Sequence, residues 1–101
     1  MKIRNFENSP KVPFDLEGYI LHSEQQLEIV HLLLKAGEKL AEHKNPFDAI
    51  FFVAEGSGIL TIEGEEFELK MNDVTKVTSD KNRGWKNNSN QDLRLLVIKL
   101  L

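Results

Sequence analysis

The sequence predicts an all-β protein, folded as a sandwich or a closed barrel. Short segments rich in β-branched and aromatic residues recur along the chain, and these residue types favour strands. Glycine, asparagine and aspartate separate the segments at the short intervals that are typical of hairpins. Only the stretch 23–40 could compete as a helix, but its apolar residues cover every face and Gly37 interrupts it.

The elements follow from these signals in chain order. Residues 1–15 are polar and contain Pro10 and Pro13, so we expect an arm or a short edge strand rather than a separate domain. Later segments combine apolar and β-branched residues between charges or turns, and we expect strands at 16–21, 26–34, 48–54, 59–62, 67–69, 83–85 and 93–101. Glycine turns at 55–58 and 63–65 predict two successive hairpins.

Composition limits the function. The 101 residues suffice for one domain, with 41% hydrophobic and 29% charged residues and a net charge of −3. Basic residues are scattered among acidic ones, which argues against nucleic-acid binding. The longest apolar run is Ala49 to Ala54, too short to span a bilayer, and the first residues lack the apolar core of a secretion signal. We therefore expect a cytoplasmic protein that binds neither nucleic acid nor membrane. The absence of cysteine excludes disulfides, thiolate metal sites and thiol nucleophiles.

One glycine-bounded segment has a distinctive spacing. Gly37 is followed by His43, Asn45, Ala49 and finally Gly56. This spacing resembles the first motif of the cupin superfamily, in which two histidines and a glutamate lie between two glycines. Gly37, His43 and Gly56 match that motif, whereas Asn45 stands at the second histidine and Ala49 at the glutamate.

A second segment resembles the second cupin motif. Asn72-Asp73 stands for its Gly-Asp turn, residues 78–80 for its Pro-x-Gly, Arg83 for its histidine, and Asn87 matches its asparagine. The resemblance covers roughly residues 27–101. It implies one cupin domain over 1–101, with a motif-bearing barrel of the double-stranded β-helix or jelly-roll type at 27–101.

The resemblance also implies a metal position, but the ligand set is incomplete. Three imidazoles and a carboxylate bind a divalent ion in a metal-binding cupin. Here the corresponding residues are His43, Asn45, Ala49 and Arg83, of which only the histidine is a good ligand. The fixed charge of Arg83 would repel a cation. Asp48 could replace the missing carboxylate only through a bulge, so we expect it to be solvated at a strand end. We predict no bound metal and no cofactor.

Arg83 and Trp85 alternate on one predicted strand and therefore share a face. If that face lines the barrel, the pair suits a small anionic or planar ligand, because arginine can fork onto a carboxylate and tryptophan can stack. The alternative is that Arg83 lies at the barrel mouth and pairs with Asp80 or another surface acid. We predict a ligand site formed by His43, Asn45, Phe51, Arg83 and Trp85.

The remaining catalytic candidates are weak. His22 precedes a polar turn and is expected to be exposed, and His31 lies in an apolar run and is expected to be packed. Some cupins catalyse epimerisation with a histidine base and a tyrosine acid, but the one tyrosine here, Tyr19, lies outside the matched motifs. No catalytic residue is predicted.

These observations favour a metal-free cupin barrel that binds a small polar or anionic molecule, is non-enzymatic or weakly catalytic, and lacks classical metal-dependent catalysis. Two alternatives remain open: an isomerase or dioxygenase-like cupin with an atypical metal site, and an interaction module whose cavity is filled by side chains. We also expect a homodimer, with apolar contacts from the N-terminal arm and the run Val30 to Leu34.

Overall fold

A computed structural model describes residues 1–13 and 15–101; Phe14, within the predicted arm, lies outside the described residues. The described residues form nine strands and no helix: β1 Glu17–Ser23, β2 Leu27–Leu34, β3 Lys39–His43, β4 Asp48–Glu55, β5 Ser57–Ile62, β6 Glu65–Lys70, β7 Val74–Val77, β8 Arg83–Lys86 and β9 Leu93–Leu100. The prediction of an all-β barrel is confirmed, as is the rejection of a helix at 23–40.

The strands form two antiparallel sheets that face each other. One has five strands in the order β1-β2-β9-β4-β7, and the other has four in the order β3-β8-β5-β6. Alternate residues of each strand point between the sheets, which places the apolar set in one core. On β9 these are Leu93, Leu95 and Val97, none of which is more than 6% exposed. The core therefore follows from the period-two pattern of the sequence.

Only one of the two predicted hairpins is present. β5 and β6 are paired up to Ile62 and Glu65, and the residues between them, Glu63 and Gly64, have φ angles of 49° and 81°. Positive φ at both positions is the geometry of a tight hairpin turn. β4 and β5, in contrast, belong to different sheets, and Gly56, with a φ of 79°, lies at the crossing. The predicted hairpin at 55–58 is therefore wrong, because a glycine turn predicts a change of direction but not the pairing partner.

The N-terminal arm pairs with the edge of the five-stranded sheet. The Val12 amide donates to the Gly18 carbonyl at 2.9 Å, and the Ile20 amide donates to the Pro10 carbonyl at 2.7 Å. Val12 itself belongs to the buried core. The arm thus caps the free edge of β1.

The arm also covers the outer face of β2. The Phe6 ring lies edge-on to the His31 ring with centroids 5.2 Å apart, and 5.8 Å from the Tyr19 ring. His31 is 8% exposed, whereas His22 is exposed. All five residues of the run Val30 to Leu34 are buried within the single chain. The expectation that this run supplies contacts to a second copy is therefore wrong.

Candidate functional site

A cavity of about 470 Å³ lies between the two sheets. Each of the five residues that the sequence analysis assigned to a ligand lines it, namely His43, Asn45, Phe51, Arg83 and Trp85. Ala49 lines it as well, so the four positions that correspond to the cupin metal ligands surround one space. The barrel brings these residues together from β3, β4, β8 and the segment that connects β3 to β4.

Arg83 begins β8 and is only 2% exposed. Its Nη1 donates to the carbonyls of Thr78 and Lys81 at 3.1 and 3.2 Å, and its Nη2 donates to the Phe47 carbonyl at 2.7 Å. These bonds join the loop after β7 to the start of β4. Asp80 instead accepts a hydrogen bond from Thr78. The alternative in which Arg83 pairs with Asp80 at the barrel mouth is therefore wrong.

Arg83 is a buried cation without a close anion. No carboxylate lies within 4.0 Å of its guanidinium nitrogens among residues 1–13 and 15–101. Burial lowers the pKa of Arg83 from its ordinary value, and the more distant Asp48 carboxylate acts in the opposite direction. A guanidinium nevertheless stays charged in proteins. Its Nε atom is buried and has no hydrogen-bond partner among the described residues.

Asp48 lies outside the cavity wall, as expected of a residue at a strand end. It begins β4, and its side chain is 35% exposed. Its carboxylate accepts a hydrogen bond from the Ser79 amide at 2.8 Å and lies 3.8 Å from the Lys76 ammonium. Asp48 therefore anchors the loop after β7 and does not provide the missing metal ligand.

Trp85 lies two residues after Arg83 on the same inward face of β8. It is 1% exposed, and its ring meets the Phe51 ring edge-on, with centroids 5.6 Å apart and an interplanar angle of 68°. The indole Nε1 is a second buried donor without a partner in the part of the chain that the structure describes. Such donors are rare in proteins because each forfeits a hydrogen bond to water on burial. The cavity wall thus holds two unsatisfied donors on one strand.

His43 and Asn45 form a short polar chain at the cavity. His43 is paired with Arg83 across β3 and β8. Its Nδ1 lies 2.8 Å from the Ala41 carbonyl, and its Nε2 lies 3.2 Å from the Asn45 amide nitrogen. Since a carbonyl only accepts, Nδ1 carries the proton, and Nε2 accepts from Asn45.

Gly84 allows β3 to approach β8 at this point. A β-carbon on Gly84 would lie 2.5 Å from the Leu40 carbonyl oxygen and 2.8 Å from the Glu42 amide nitrogen. The pairing of β3 with β8 also shifts register between Leu40 and His43. The glycine therefore lets the irregular part of β3 lie directly against the strand that carries Arg83.

The residues at the cupin metal position do not fit a divalent ion. The one His43 nitrogen left for a metal, Nε2, lies 3.2 Å from the Asn45 amide nitrogen, and Ala49 has no donor atom. Arg83 adds a fixed positive charge. Within the described ranges no group of three or more histidine, aspartate or glutamate side chains could hold a metal. That the protein binds no metal remains a prediction.

The wall residues that were not predicted include Lys39, Phe47 and Lys99. Lys99 continues the inward alternation of Leu95 and Val97 on β9, so the pattern could have identified it. Its ammonium lies 3.2 Å from Glu28 and 5.3 Å from the centre of the Phe47 ring. The Arg83 guanidinium carbon lies 5.7 Å from the same ring centre. No sequence signal places Phe47 against two cations.

Part of this chain is similar in sequence to a known protein. A 5-nitrosalicylic acid 1,2-dioxygenase from Bradyrhizobium sp. is 29% identical over 66 residues, which is 65% of this chain and 32% of that protein. The chain thus spans about a third of this relative's length. Within the described residues, no helix has the length and apolar character needed to cross a membrane.

Solved structures show the same fold at low identity. A predicted oxalate decarboxylase from Thermotoga maritima superimposes with a TM-score of 0.88 at 18% identity, covering 99% of both chains. KdgF from Halomonas sp. gives a TM-score of 0.84 at 15% identity, covering 100% of this chain and 94% of that one. The family model described as "Cupin domain" matches residues 30–99, which include all but the first elements of the barrel. The chain belongs to the cupin family.

Proposed function

We propose that the barrel binds a small anionic molecule in its cavity through Arg83, without a catalytic metal. The observation that carries this proposal is the position of Arg83, a buried cation at the cavity with no carboxylate partner among the described residues and an unused donor at Nε. An anion would supply both the missing countercharge and a missing acceptor. A hydrogen bond between charged groups contributes about 1.5–3 kcal/mol, enough to change affinity roughly ten- to a hundredfold.

The charges around the cavity also favour an anion. Arg83, Lys39 and Lys99 line it, and Asp15 is the one carboxylate among the lining residues that the structure describes. Glu28 pairs with Lys99, which leaves Arg83 and Lys39 against Asp15. This local excess of positive charge contrasts with the net charge of −3 for the whole chain. A cleft lined by one sign of charge raises the local concentration of the opposite ion. The names of two similar proteins also refer to acids, 5-nitrosalicylic acid and oxalate.

The test is calorimetric titration of small carboxylates and phosphates into the wild type, Arg83→Met and Arg83→Lys. The methionine variant should bind at least tenfold more weakly, and the lysine variant should be intermediate, because lysine keeps the charge but loses the fork. Arg94→Met is the matched control, since Arg94 pairs with Glu55 away from the cavity. All variants are compared well below their own unfolding temperatures, because Arg83 also joins three backbone carbonyls. Equal binding by the wild type and Arg83→Met would contradict the proposal.

The second candidate function is a cupin enzyme with an atypical metal site. The convergence of His43, Asn45, Ala49 and Arg83 on one cavity favours it, as do the names of the similar dioxygenase and decarboxylase. Elemental analysis after dialysis against chelator tests the difference, and nearly one bound metal per chain would contradict the metal-free proposal and favour this candidate. Restoring the ligands with Asn45→His, Ala49→Glu and Arg83→His should create zinc or nickel affinity if the motif positions are correctly matched.

The third candidate, an interaction module with a filled barrel, is disfavoured by the cavity of about 470 Å³, which lies within the usual range for small-molecule sites. A homodimer and a cytoplasmic location are retained as proposals.

A further inference from the structure

We propose that the ligand is a carboxylate with an aromatic or branched aliphatic body, and that its acid group displaces the Phe47 ring from Arg83. This inference rests on the proposed function and specifies its ligand. It follows from how Phe47 is held, from the unused donors on β8, and from the apolar inner half of the cavity.

Phe47 lies in the segment between β3 and β4 and is only half-buried. Its ring centre lies 5.7 Å from the Arg83 guanidinium carbon and 5.3 Å from the Lys99 ammonium. In the free protein the ring therefore provides the aromatic contact of both cations. The face of a phenyl ring attracts a cation less strongly than a hydrogen-bonded carboxylate does. An acid group is consequently the better partner for Arg83, whereas Lys99 already pairs with Glu28 at 3.2 Å.

The Phe47 backbone is fixed by a hydrogen bond, while its side chain is half-buried and packs against the edge of the core. The Phe47 carbonyl accepts the 2.7 Å hydrogen bond from Arg83 Nη2, which fixes the main chain at the start of β4. Rotation about the side-chain bonds can therefore expose the cations without disturbing the sheet. Phe47 thus acts as a gate that opens by rotation of its own side chain.

The donors without partners indicate which kind of acid group the ligand carries. Arg83 Nε and Trp85 Nε1 are buried, are not reached by solvent, and have no partner among residues 1–13 and 15–101. Movement of Phe47 gives a ligand access to the Arg83 edge of this pair. A carboxylate has only two oxygens, which suits a site with few free donors. A phosphate has additional oxygens, which would face apolar side chains. The donor count thus favours a carboxylate over a phosphate.

The rest of the cavity wall indicates whether the remainder of the ligand is polar or apolar. The inner face of the five-stranded sheet contributes Val30, Phe51 and Val97 to the cavity, and none of them is more than 6% exposed. With the Trp85 ring opposite Phe51, these side chains form an apolar surface. A polyhydroxylated ligand would lose its hydrogen bonds to water here, whereas an aryl or branched alkyl group would gain from burial.

The ligand class is tested with benzoate, acetate, inorganic phosphate and benzyl alcohol. Trp85 is the one tryptophan of the chain, so its fluorescence reports directly on the cavity, and calorimetry provides the affinity. Benzoate should bind roughly tenfold or more tightly than acetate, because it buries an additional ring. Phosphate and benzyl alcohol should each bind more weakly than benzoate. Equal affinities for benzoate and acetate would overturn the inference about the body.

The gate is tested with Phe47→Ala and Lys99→Gln. Removal of the ring should strengthen benzoate binding about fivefold and accelerate association, because no aromatic contact must be broken first. Lys99→Gln should weaken binding less than Arg83→Met does, because Lys99 is already paired with Glu28. The control Lys76→Gln, on a surface lysine outside the cavity wall, should leave binding unchanged. Weaker binding by Phe47→Ala would show that the ring contacts the ligand and would overturn the gate.

The outcomes separate this inference from the proposed function. If acetate and benzoate bind equally and both need Arg83, the anion site stands and the ligand class is wrong. If Phe47→Ala leaves benzoate affinity and association rate unchanged, the gate is wrong and the anion site still stands. If none of the anions binds the wild type, the proposed function itself fails.

Discussion

Replacement of Asn87 by alanine should destabilise the barrel more than any exposed substitution, although Asn87 lies outside the cavity wall. Asn87 follows β8 and is 1% exposed. Its Nδ2 donates to the Leu34 carbonyl at 2.9 Å and to the Gln91 carbonyl at 2.7 Å. Its Oδ1 accepts from the Ser89 amide at 3.0 Å and from the Ser89 hydroxyl at 2.7 Å. One side chain therefore joins the end of β2 to the turn that leads into β9.

The magnitude follows from these four bonds. Each contributes about 0.5–1.5 kcal/mol net, and a buried group left without its partner costs about 1–3 kcal/mol. Leu34 is fully buried, so its carbonyl is not compensated by water in the alanine variant. We expect a loss of about 3–5 kcal/mol, which is a large share of the roughly 5–15 kcal/mol that stabilises a typical domain.

Urea unfolding, followed by circular dichroism, measures the loss. Asn88→Ala is the matched control, because Asn88 is exposed in the same turn and should change the free energy of unfolding by no more than about 0.5 kcal/mol. Asn87→Asp keeps the shape but removes the donors and sets a carboxylate against two carbonyls, so it should be at least as harmful as alanine. A loss below about 1 kcal/mol for Asn87→Ala would refute the reasoning.

Three further predictions concern the backbone, pH and assembly. Gly56→Ala should destabilise the protein by clearly more than Gly64→Ala. Both glycines have positive φ, but only at Gly56 would a β-carbon overlap neighbouring backbone. Urea unfolding of both variants measures the two losses of stability, and equal losses would contradict the prediction. Burial, and then Arg94, lower the pKa of His31, so the unfolded chain binds the proton more readily and stability should fall as pH drops below about 6.5. His31→Gln should abolish that slope and His22→Gln should retain it, and an unchanged slope in His31→Gln would refute the assignment. Sedimentation should show a dimer that Phe52→Glu, on the outer face of β4, converts to a monomer; a wild-type monomer would exclude it.

The sequence predicted those strands whose inward residues are apolar. The alternation along β9 and the aromatic run of β4 are such cases, because burial on one face leaves a period of two in the chain. β3 was not predicted, since its residues Lys39, Glu42 and His43 are exposed and Leu40 is its one partly buried apolar residue. Pairing with β8 holds this strand in place, and the sequence of one strand does not indicate which strand it pairs with.

The candidate site shows the same division between local pattern and tertiary contact. The shared face of Arg83 and Trp85 follows from their spacing, and the cupin motif positions predicted that this face points inward. The hydrogen bond between Arg83 and the Phe47 carbonyl joins residues 36 positions apart in sequence, and local periodicity cannot predict it. Phe47 was missed for this reason, whereas Lys99 was missed although the alternation of β9 includes it.

Asn45, Ala49 and Arg83 stand where a metal-binding cupin has metal ligands. The cavity still contains a positive charge, but one with different chemistry. In a metal-binding cupin the cation is a separate ion, with positions open to a substrate oxygen. Here the cation belongs to the chain, and three backbone carbonyls orient it. Under the proposed function both arrangements would present positive charge to an anion inside the barrel, but a guanidinium offers only charge and hydrogen bonds, not an open coordination position. Anion recognition can therefore persist at this position while Lewis-acid chemistry there requires ligands that these residues do not supply.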